Sequence, residues 1–438
     1  MRLLRLVAAA LLLFAFPAAL PAQDARAGDS VFDRIDSLMA QLSEITGLKV
    51  RRRVEYAVIP RSRLKEFLER RIREEIDPEQ IRVEELLLKK LGFVPEDFHL
   101  GETMLALYEE QAAALYDFRK KKLFLLDSTD GPLQRTALVH ELAHALADQH
   151  FRLDKFIDKA NKNDDGALAR MAVMEGQATW LMTEFMARRM GESLADSREL
   201  VDLMSRMTGA SMGRFPVLDR VPLYVRQSLL FPYTSGLEFQ HAVFERLGRK
   251  AFAQVFRNPP RSTRQVLHPE KYFEPDELPP PKLPRISDGY KKTAEGTLGE
   301  FDFAVWLQQH GSDDLVRSLA PEWRAGKYQL WEAKDGGGAS ILVHGSVWAG
   351  EEAARRFFEF YRRVLEGKWD RVAFETDGAG GYSGRGDHGR FFVRRIGRAV
   401  YAVEGLRKDD RVRKWPQPQR SGARRREVTV AAARERPR

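Results

Sequence analysis

Two hydrophobic periods divide this chain. Through residues 30–48, 62–75, 78–91 and 102–115, apolar side chains recur every three or four positions, the spacing of one helix face. Asp77 stands as N-cap before Pro78, which opens the third of these helices, and Lys89-Lys90-Leu91-Gly92 closes it on a glycine. Val54–Ile59 is a short, mostly apolar run ended by Pro60 and predicts a strand. At Tyr116 the period shortens. Tyr116–Arg119 and Leu123–Leu126 flank a lysine-rich turn, Lys120–Lys122, and predict a β-hairpin. The helical period then returns from about Gly131 to His150, with N-caps on offer in Asp127-Ser128-Thr129-Asp130, and again from Asp164-Asp165-Gly166 to Gly191. Residues 191–225 carry few cues. Leu230 to Gly236 leads into a helix over Leu237–Leu247 that Gly248 stops, and Ala251–Phe256 adds a turn or two.

Five prolines, at 275, 279, 280, 281 and 284, mark residues 276–290 as a linker. Beyond it helices are expected over Leu298–His310, Leu315–Ala320 and Glu351–Leu365. Strands are expected over Tyr328–Lys334, Ser340–Trp348, Arg371–Thr376, Arg390–Ile396 and Ala399–Glu404. Asp377–Gly389 is glycine-rich with no helix N-terminus after it, so it reads as a flexible hairpin tip and not a phosphate loop. The fold class is therefore α+β. A mostly helical domain with a small edge sheet spans 30–275, and an α+β module spans 291–415.

Composition narrows the setting. Met1–Arg5 is basic, Leu6–Phe16 is apolar, and small residues follow, the layout of a secretory signal peptide over 1–27 with cleavage after Ala22 or Ala27. The apolar stretch is short and broken by Pro17, which disfavours an uncleaved anchor, and no other stretch reaches the ~18 apolar residues of a membrane span. The expected product is exported, periplasmic or secreted. There is no cysteine, so disulfides, thiol nucleophiles and Cys-type metal sites are excluded, and any metal must be held by His and carboxylates. Of the net charge of +9, the segment from Arg420 onward contributes +5. It reads as a disordered basic tail over 416–438 with weak contact to anionic surfaces. No nucleic-acid motif accompanies it, so no specific nucleic-acid partner is expected.

The chemistry lies in His140-Glu141-Leu142-Ala143-His144, an H-E-x-x-H run within the helical pattern. At 3.6 residues per turn the two imidazoles sit one turn apart on one face and can close on one Zn²⁺. Glu141, about 100° round the helix, can reach a metal-bound water as general base. Glu175 falls on the next helix, 31 residues after His144, in an otherwise apolar stretch. A carboxylate there needs a partner, either the same metal or a cation such as Arg170. With Glu175 the set is His₂Glu, which leaves a fourth position for water, the arrangement of a catalytic zinc. Gly176 is expected to let this helix approach the metal helix closely. Asp148, a turn beyond His144, is either a support for a ligand or a helix-surface acid.

These residues, together with Glu110–Asp117, Glu175–Ala178, Phe231-Pro232-Tyr233…Gly236 and Pro260–Thr263…His268–Tyr272, resemble the gluzincin branch of zinc metallopeptidases, and within it the bacterial peptidase MA-like group. The resemblance covers roughly residues 50–275. It implies a zincin-like fold, one Zn²⁺ per chain and hydrolysis of peptide bonds in a peptide or protein substrate. The expected ligands are His140, His144 and Glu175, with Glu141 as base. Tyr233 and His268 are the candidate oxyanion donors and Tyr272 a third; each reads equally as a packed aromatic or a local cap. An edge strand from the hairpin would pair with extended substrate. Two other functions stay open: a non-catalytic, zinc-stabilised envelope binding or assembly factor working through its C-terminal module, and a zinc hydrolase of non-peptide bonds.

Overall fold

A computed structural model describes residues 31–75, 77–111, 114–126, 132–160, 163–209, 215–274, 278–377 and 380–417. The expected signal peptide, nearly all of the basic tail and the caps at Asp127–Asp130 lie outside them. Among the described residues no helix is long and apolar enough to cross a membrane.

The architecture is α+β. Its N-terminal part opens with α1 (Val31–Thr46), β1 (Glu55–Ile59), α2 (Leu64–Glu75), α3 (Pro78–Leu91) and α4 (Leu100–Gln111). Asp77 caps α3 by accepting from the Glu79 N–H, and Gly92 ends it at φ 73°, the left-handed conformation that glycine takes without strain. The hairpin is β2 (Ala114–Asp117) and β3 (Lys122–Leu126). β1 adds to it in parallel, giving the order β1-β3-β2 with β2 at one edge.

Then come α5 (Pro132–Phe151), α6 (Leu153–Asp158), α7 (Asp164–Arg189), α8 (Arg198–Gly209), α9 (Pro216–Arg220) and α10 (Leu223–Leu247). Short helices α11 (Ala251–Arg257), α12 (Thr263–Leu267) and α13 (Pro269–Tyr272) close this part. Two expectations here need correction. The stretch 191–225, read as poor in structure, contains α8, α9 and the start of α10. The Phe231-Pro232-Tyr233 run lies inside α10, not ahead of it. Pro232 removes one helical N–H, but the helix is buried on several sides and its packing offsets the loss.

Helices α7 and α10 cross at glycine. A Cβ on Gly176 would lie 2.2 Å from the Gly236 carbonyl carbon, and one on Gly236 would lie 2.5 Å from the Ala172 carbonyl oxygen. Gly176 therefore serves contact with α10 and not, as expected, with the metal helix. It sits about 100° round from Glu175, so the two residues face different neighbours.

The C-terminal module is one antiparallel sheet of seven strands in the order β5-β6-β7-β11-β10-β9-β8. They are β5 (Tyr290–Thr297), β6 (Trp323–Ala333), β7 (Ser340–Trp348), β8 (Val372–Asp377), β9 (Gly381–Gly386), β10 (Gly389–Ile396) and β11 (Ala399–Leu406). Helices α14 (Glu300–His310), α15 (Asp313–Leu319) and α16 (Glu351–Lys368) accompany it, and α16 packs on β7, β10 and β11. The glycine-rich run read as a flexible tip holds strand β9. Its glycines admit bulky neighbours, since a Cβ at Gly386 would meet the Trp369 ring at 2.2 Å. The proline-rich segment is likewise more than a linker. Leu278, Leu283 and Ile286 pack with Trp415 on residues of the sheet such as Val343, Val347 and Tyr401. Strand β4 (Arg285–Ile286) also pairs with β12 (Val412–Lys414). The segment is a strap across the sheet.

A single hydrophobic core runs through both parts. Phe93 stacks on Tyr224 and on Trp306 of the module, with ring centroids 4.0 and 5.1 Å away. The Trp306 indole donates to the Leu91 carbonyl at 2.8 Å. Buried acids line the same seam: Asp302 accepts from Tyr224 at 2.8 Å and from the Gly299 N–H, and Asp164 accepts from Tyr328 at 2.7 Å. Burial raises the Asp302 carboxyl to about 7, against the opposing pull of the Gly299 N–H and the Tyr224 hydroxyl.

Two measurements test this packing. Gly236→Ala is expected to lower stability by about 1–3 kcal/mol through overpacking. Gly101→Ala, whose Cβ meets nothing closer than Ile81 at 3.8 Å, is expected to be neutral or stabilising. Equal midpoints in chemical denaturation would contradict the glycine crossing. For Asp302 the folded pKa lies above the ordinary value of 3.8. Its contribution is therefore complete below about pH 4 and lost as pH rises through about 7. Relative to Asp302→Asn, the parent should weaken over that window, with a ceiling on the order of 4 kcal/mol. A flat difference between the two denaturation curves from pH 4.5 to 8 would refute it.

Candidate metal centre

Helices α5 and α7 pack against one another and bring three side chains to one point. His140 and His144 project from successive turns of α5, and Glu175 faces them from α7. The two Nε2 atoms lie 3.1 Å apart, and Glu175 Oε2 lies 3.1 Å from the first and 3.3 Å from the second. All three residues are buried, Glu175 completely. Arg170, the alternative partner weighed for Glu175, points elsewhere: its guanidinium stacks 4.7 Å over the Phe156 ring and donates to the Phe156 carbonyl.

Protons alone do not satisfy this triangle. Each imidazole Nε2 carries at most one hydrogen and the carboxylate oxygen carries none, so two hydrogens face three short contacts. If His140 donates to Glu175, it cannot accept from His144. The second oxygen, Glu175 Oε1, is buried without a hydrogen-bond partner. A dication held by the two Nε2 atoms and Oε2 removes this proton conflict. A tetrahedral ion with ligand bonds of about 2.0–2.1 Å separates neighbouring donors by about 3.3 Å, close to what the triangle shows. The donor set of two imidazoles and one carboxylate suits zinc.

The electrostatics agree with this geometry. Burial alone would raise the Glu175 carboxyl, but the His144 and His140 imidazoles outweigh it and hold it down at about 2. For His144, burial works against the charged form and Glu175 more than restores it, so the net shift is upward. Glu141 is buried beside the triangle. Burial pushes its carboxyl up, opposed by His144, His140 and the Tyr116 N–H.

The edge strand reaches this glutamate directly: the Tyr116 backbone N–H of β2 donates to Glu141 Oε2 at 2.6 Å. The hairpin is fastened to α5 by Asp148. That carboxylate, fully buried, accepts from the Tyr116 hydroxyl (3.0 Å), Lys121 Nζ (2.8 Å), Arg52 (3.3 Å) and the Leu153 N–H (2.9 Å). Asp148 is thus neither of the things expected of it. It bonds no metal ligand and is no surface acid, but holds β2 against the metal helix. Tyr116, Lys121 and Arg52 are the residues that sequence reading missed. Their only signal was an acid one turn past His144, for which the sequence offers Arg152, four residues on, as a nearer partner.

Of the candidate donors, one stays with the cluster. Tyr233, on α10, lays its ring over His140 with centroids 6.0 Å apart and planes 24° apart. Burial, and then the Glu175 charge, push its hydroxyl well above the ordinary range. His268 is committed elsewhere: its Nε2 lies 2.7 Å from Glu300 Oε1 at the first turn of α14, on the seam with the C-terminal module. Tyr272 donates to the Asn258 carbonyl at 2.6 Å and sets its ring edge-on to Phe239. Both act as local ties.

Residues 285–414 match a family described as a domain of unknown function, DUF8575. The match covers the sheet module and stops short of the metal centre. No curated protein and no solved structure matches the chain.

The metal-binding reading has a direct check. Metal analysis after equilibration with zinc should find one ion per chain, and Glu175→Ala should lose most of it. Unchanged tight binding in that variant would remove Glu175 from the ligand set.

Proposed function

We propose that this chain is an exported, zincin-like zinc peptidase whose ligands are His140, His144 and Glu175. The observation that carries the reading is the position of Glu141. It is buried beside the His–His–Glu triangle and bonded to an N–H of a sheet-edge strand. A site that only stabilised the fold would have no use for a second, non-ligating carboxylate held there.

Bound zinc would supply an acidified water and polarisation of the scissile carbonyl. The chain's own residues do the rest. Glu141 takes the proton of the attacking water and passes it to the leaving amine. Tyr233, buried over His140 with its hydroxyl kept protonated beside Glu175, would donate to the developing oxyanion. The β2 backbone aligns an extended peptide by strand pairing, and Asp148 keeps β2 at a fixed distance from α5.

A second reading, a non-catalytic zinc-stabilised assembly factor, is favoured by the burial of all four residues, of which His144 is the most open at 7 %. Two substitutions separate the readings. Glu141→Gln should keep its zinc and lose chelator-sensitive cleavage of a casein-type substrate by about 10²–10⁴. Tyr233→Phe should lower kcat by about 10²–10³ at unchanged zinc content. Proteolysis by Glu141→Gln at the parental rate would sink the peptidase mechanism. Zinc binding without cleavage by the parent would leave the assembly factor.

A further inference from the structure

At the C-terminal end of the metal helix lies a cavity of about 330 Å³ that the proposed chemistry does not use. It is lined from the last turn of α5 by His150 and Phe151, with Phe156 and Phe256 completing an aromatic wall. Phe151 and Phe256 stack with centroids 4.7 Å apart and planes 6° apart, and Phe156 meets Phe256 edge-on at 5.0 Å. Successive helix residues turn by 100°, so His150 projects about 240° round α5 from His144. Phe151, seven residues past His144, shares its face, so the cavity is set apart from the metal triangle by about two turns along α5 and not by facing away from it.

Four cations surround this aromatic wall: Arg51 after α1, Lys159 after α6, Arg170 in α7 and Arg257 at the end of α11. They come from four separate segments of the chain, so no single surface run accounts for them. No carboxylate lines the cavity. Among the described residues none of the four forms an ion pair, whereas Arg52 and Lys121, beside the same helix, do. Arg170 is half-buried with its guanidinium over a phenyl ring, and burial pulls its pKa down with nothing to offset it. Four cations with no carboxylate among them give this concave volume a positive lining that favours an anion. A doubly charged anion gains more from that lining than a carboxylate does.

We propose that this cavity is a binding site for a phosphomonoester that carries an apolar group. Arg51 and Arg170 each give one Nη1 to a main-chain carbonyl, of Gln149 and Phe156, and with Arg257 keep further N–H groups that suit phosphate oxygens. Phe156 and Phe256 are buried behind half-buried Phe151, which takes the apolar substituent. The volume is that of about ten water molecules, enough for a phosphoryl group and a ring-sized substituent. A soluble aryl or alkyl phosphate and the headgroup of a phosphatidic-acid-type lipid share this chemistry.

Isothermal titration of the full chain with phenyl phosphate and with inorganic phosphate tests it. Saturable one-to-one binding is expected, with phenyl phosphate tighter by about tenfold for its buried ring. Arg51→Gln and Arg257→Gln, both exposed and so safe for the fold, should each weaken it by about tenfold, and Arg170→Gln by at least as much. Zinc content, read in parallel, should stay at the parental value in all three, which separates this site from the metal centre. Co-sedimentation with phosphatidic-acid vesicles that phenyl phosphate competes away assigns the lipid source, and absence of co-sedimentation assigns the soluble one. The proposal is overturned by failure of phenyl phosphate to saturate, by equal affinity for inorganic phosphate, or by parental affinity in the Arg51 and Arg257 variants.

Discussion

A carboxylate at the centre of a fully buried helix must be compensated, and Glu175 is the case on which this structure turns. Most of α7 is apolar and enclosed, so ionised Glu175 has no access to water. Its compensation is the pair His140 and His144, and that requirement sets how α5 and α7 lie against each other. With that pairing made, Gly176 is left facing α10, and the crossing is close enough that two glycines meet. Tyr233 is carried on the same α10, three residues before Gly236, and so comes to rest over His140.

A second buried acid extends this order to the small sheet. Asp148 lies on α5 one turn past His144, where it gathers a tyrosine hydroxyl, a lysine, an arginine and a backbone N–H. Those groups come from the hairpin, from the segment ahead of β1 and from the start of α6. They keep β2 beside Glu141, so the proposed base and the proposed substrate edge form one unit. Loss of Asp148 would leave the buried Tyr116 hydroxyl without its partner and Lys121 with Asp154 alone, a costly state.

The C-terminal module bears on the centre only indirectly. Its α14 and the long strand β6 pack on α7, α10 and the loop after α3 through Trp306, Phe301 and Tyr328. His268, Glu300, Thr263 and Asp165 stitch the same seam with hydrogen bonds. The DUF8575 match coincides with this module, whose sheet is closed on one side by helices and on the other by the proline-rich strap.

Much of this was legible in the order of residues. The α3 caps, the hairpin, the metal-helix run and the odd carboxylate on an apolar helix each rest on local physics: a turn geometry, a period, or a desolvation cost that any fold must meet. Glu175 was findable because an ionised group in an apolar stretch demands a partner. Which partner it took, His140 and His144 and not Arg170, was settled by packing. The same holds for Gly176, which could have served either neighbouring helix, and for Pro232, whose lost N–H was outweighed by burial of α10. The glycines of β9 spelled flexibility until Trp369 and Phe391 occupied the space they leave, and the prolines of the strap spelled a linker until the sheet offered them a face. His268 looked like a donor only because its distant partner, Glu300, was invisible along the chain. Periods and caps act over one or two turns and are written in the sequence. The choice among partners tens or hundreds of residues apart depends on which faces the folded core brings together, and only the tertiary structure decided it.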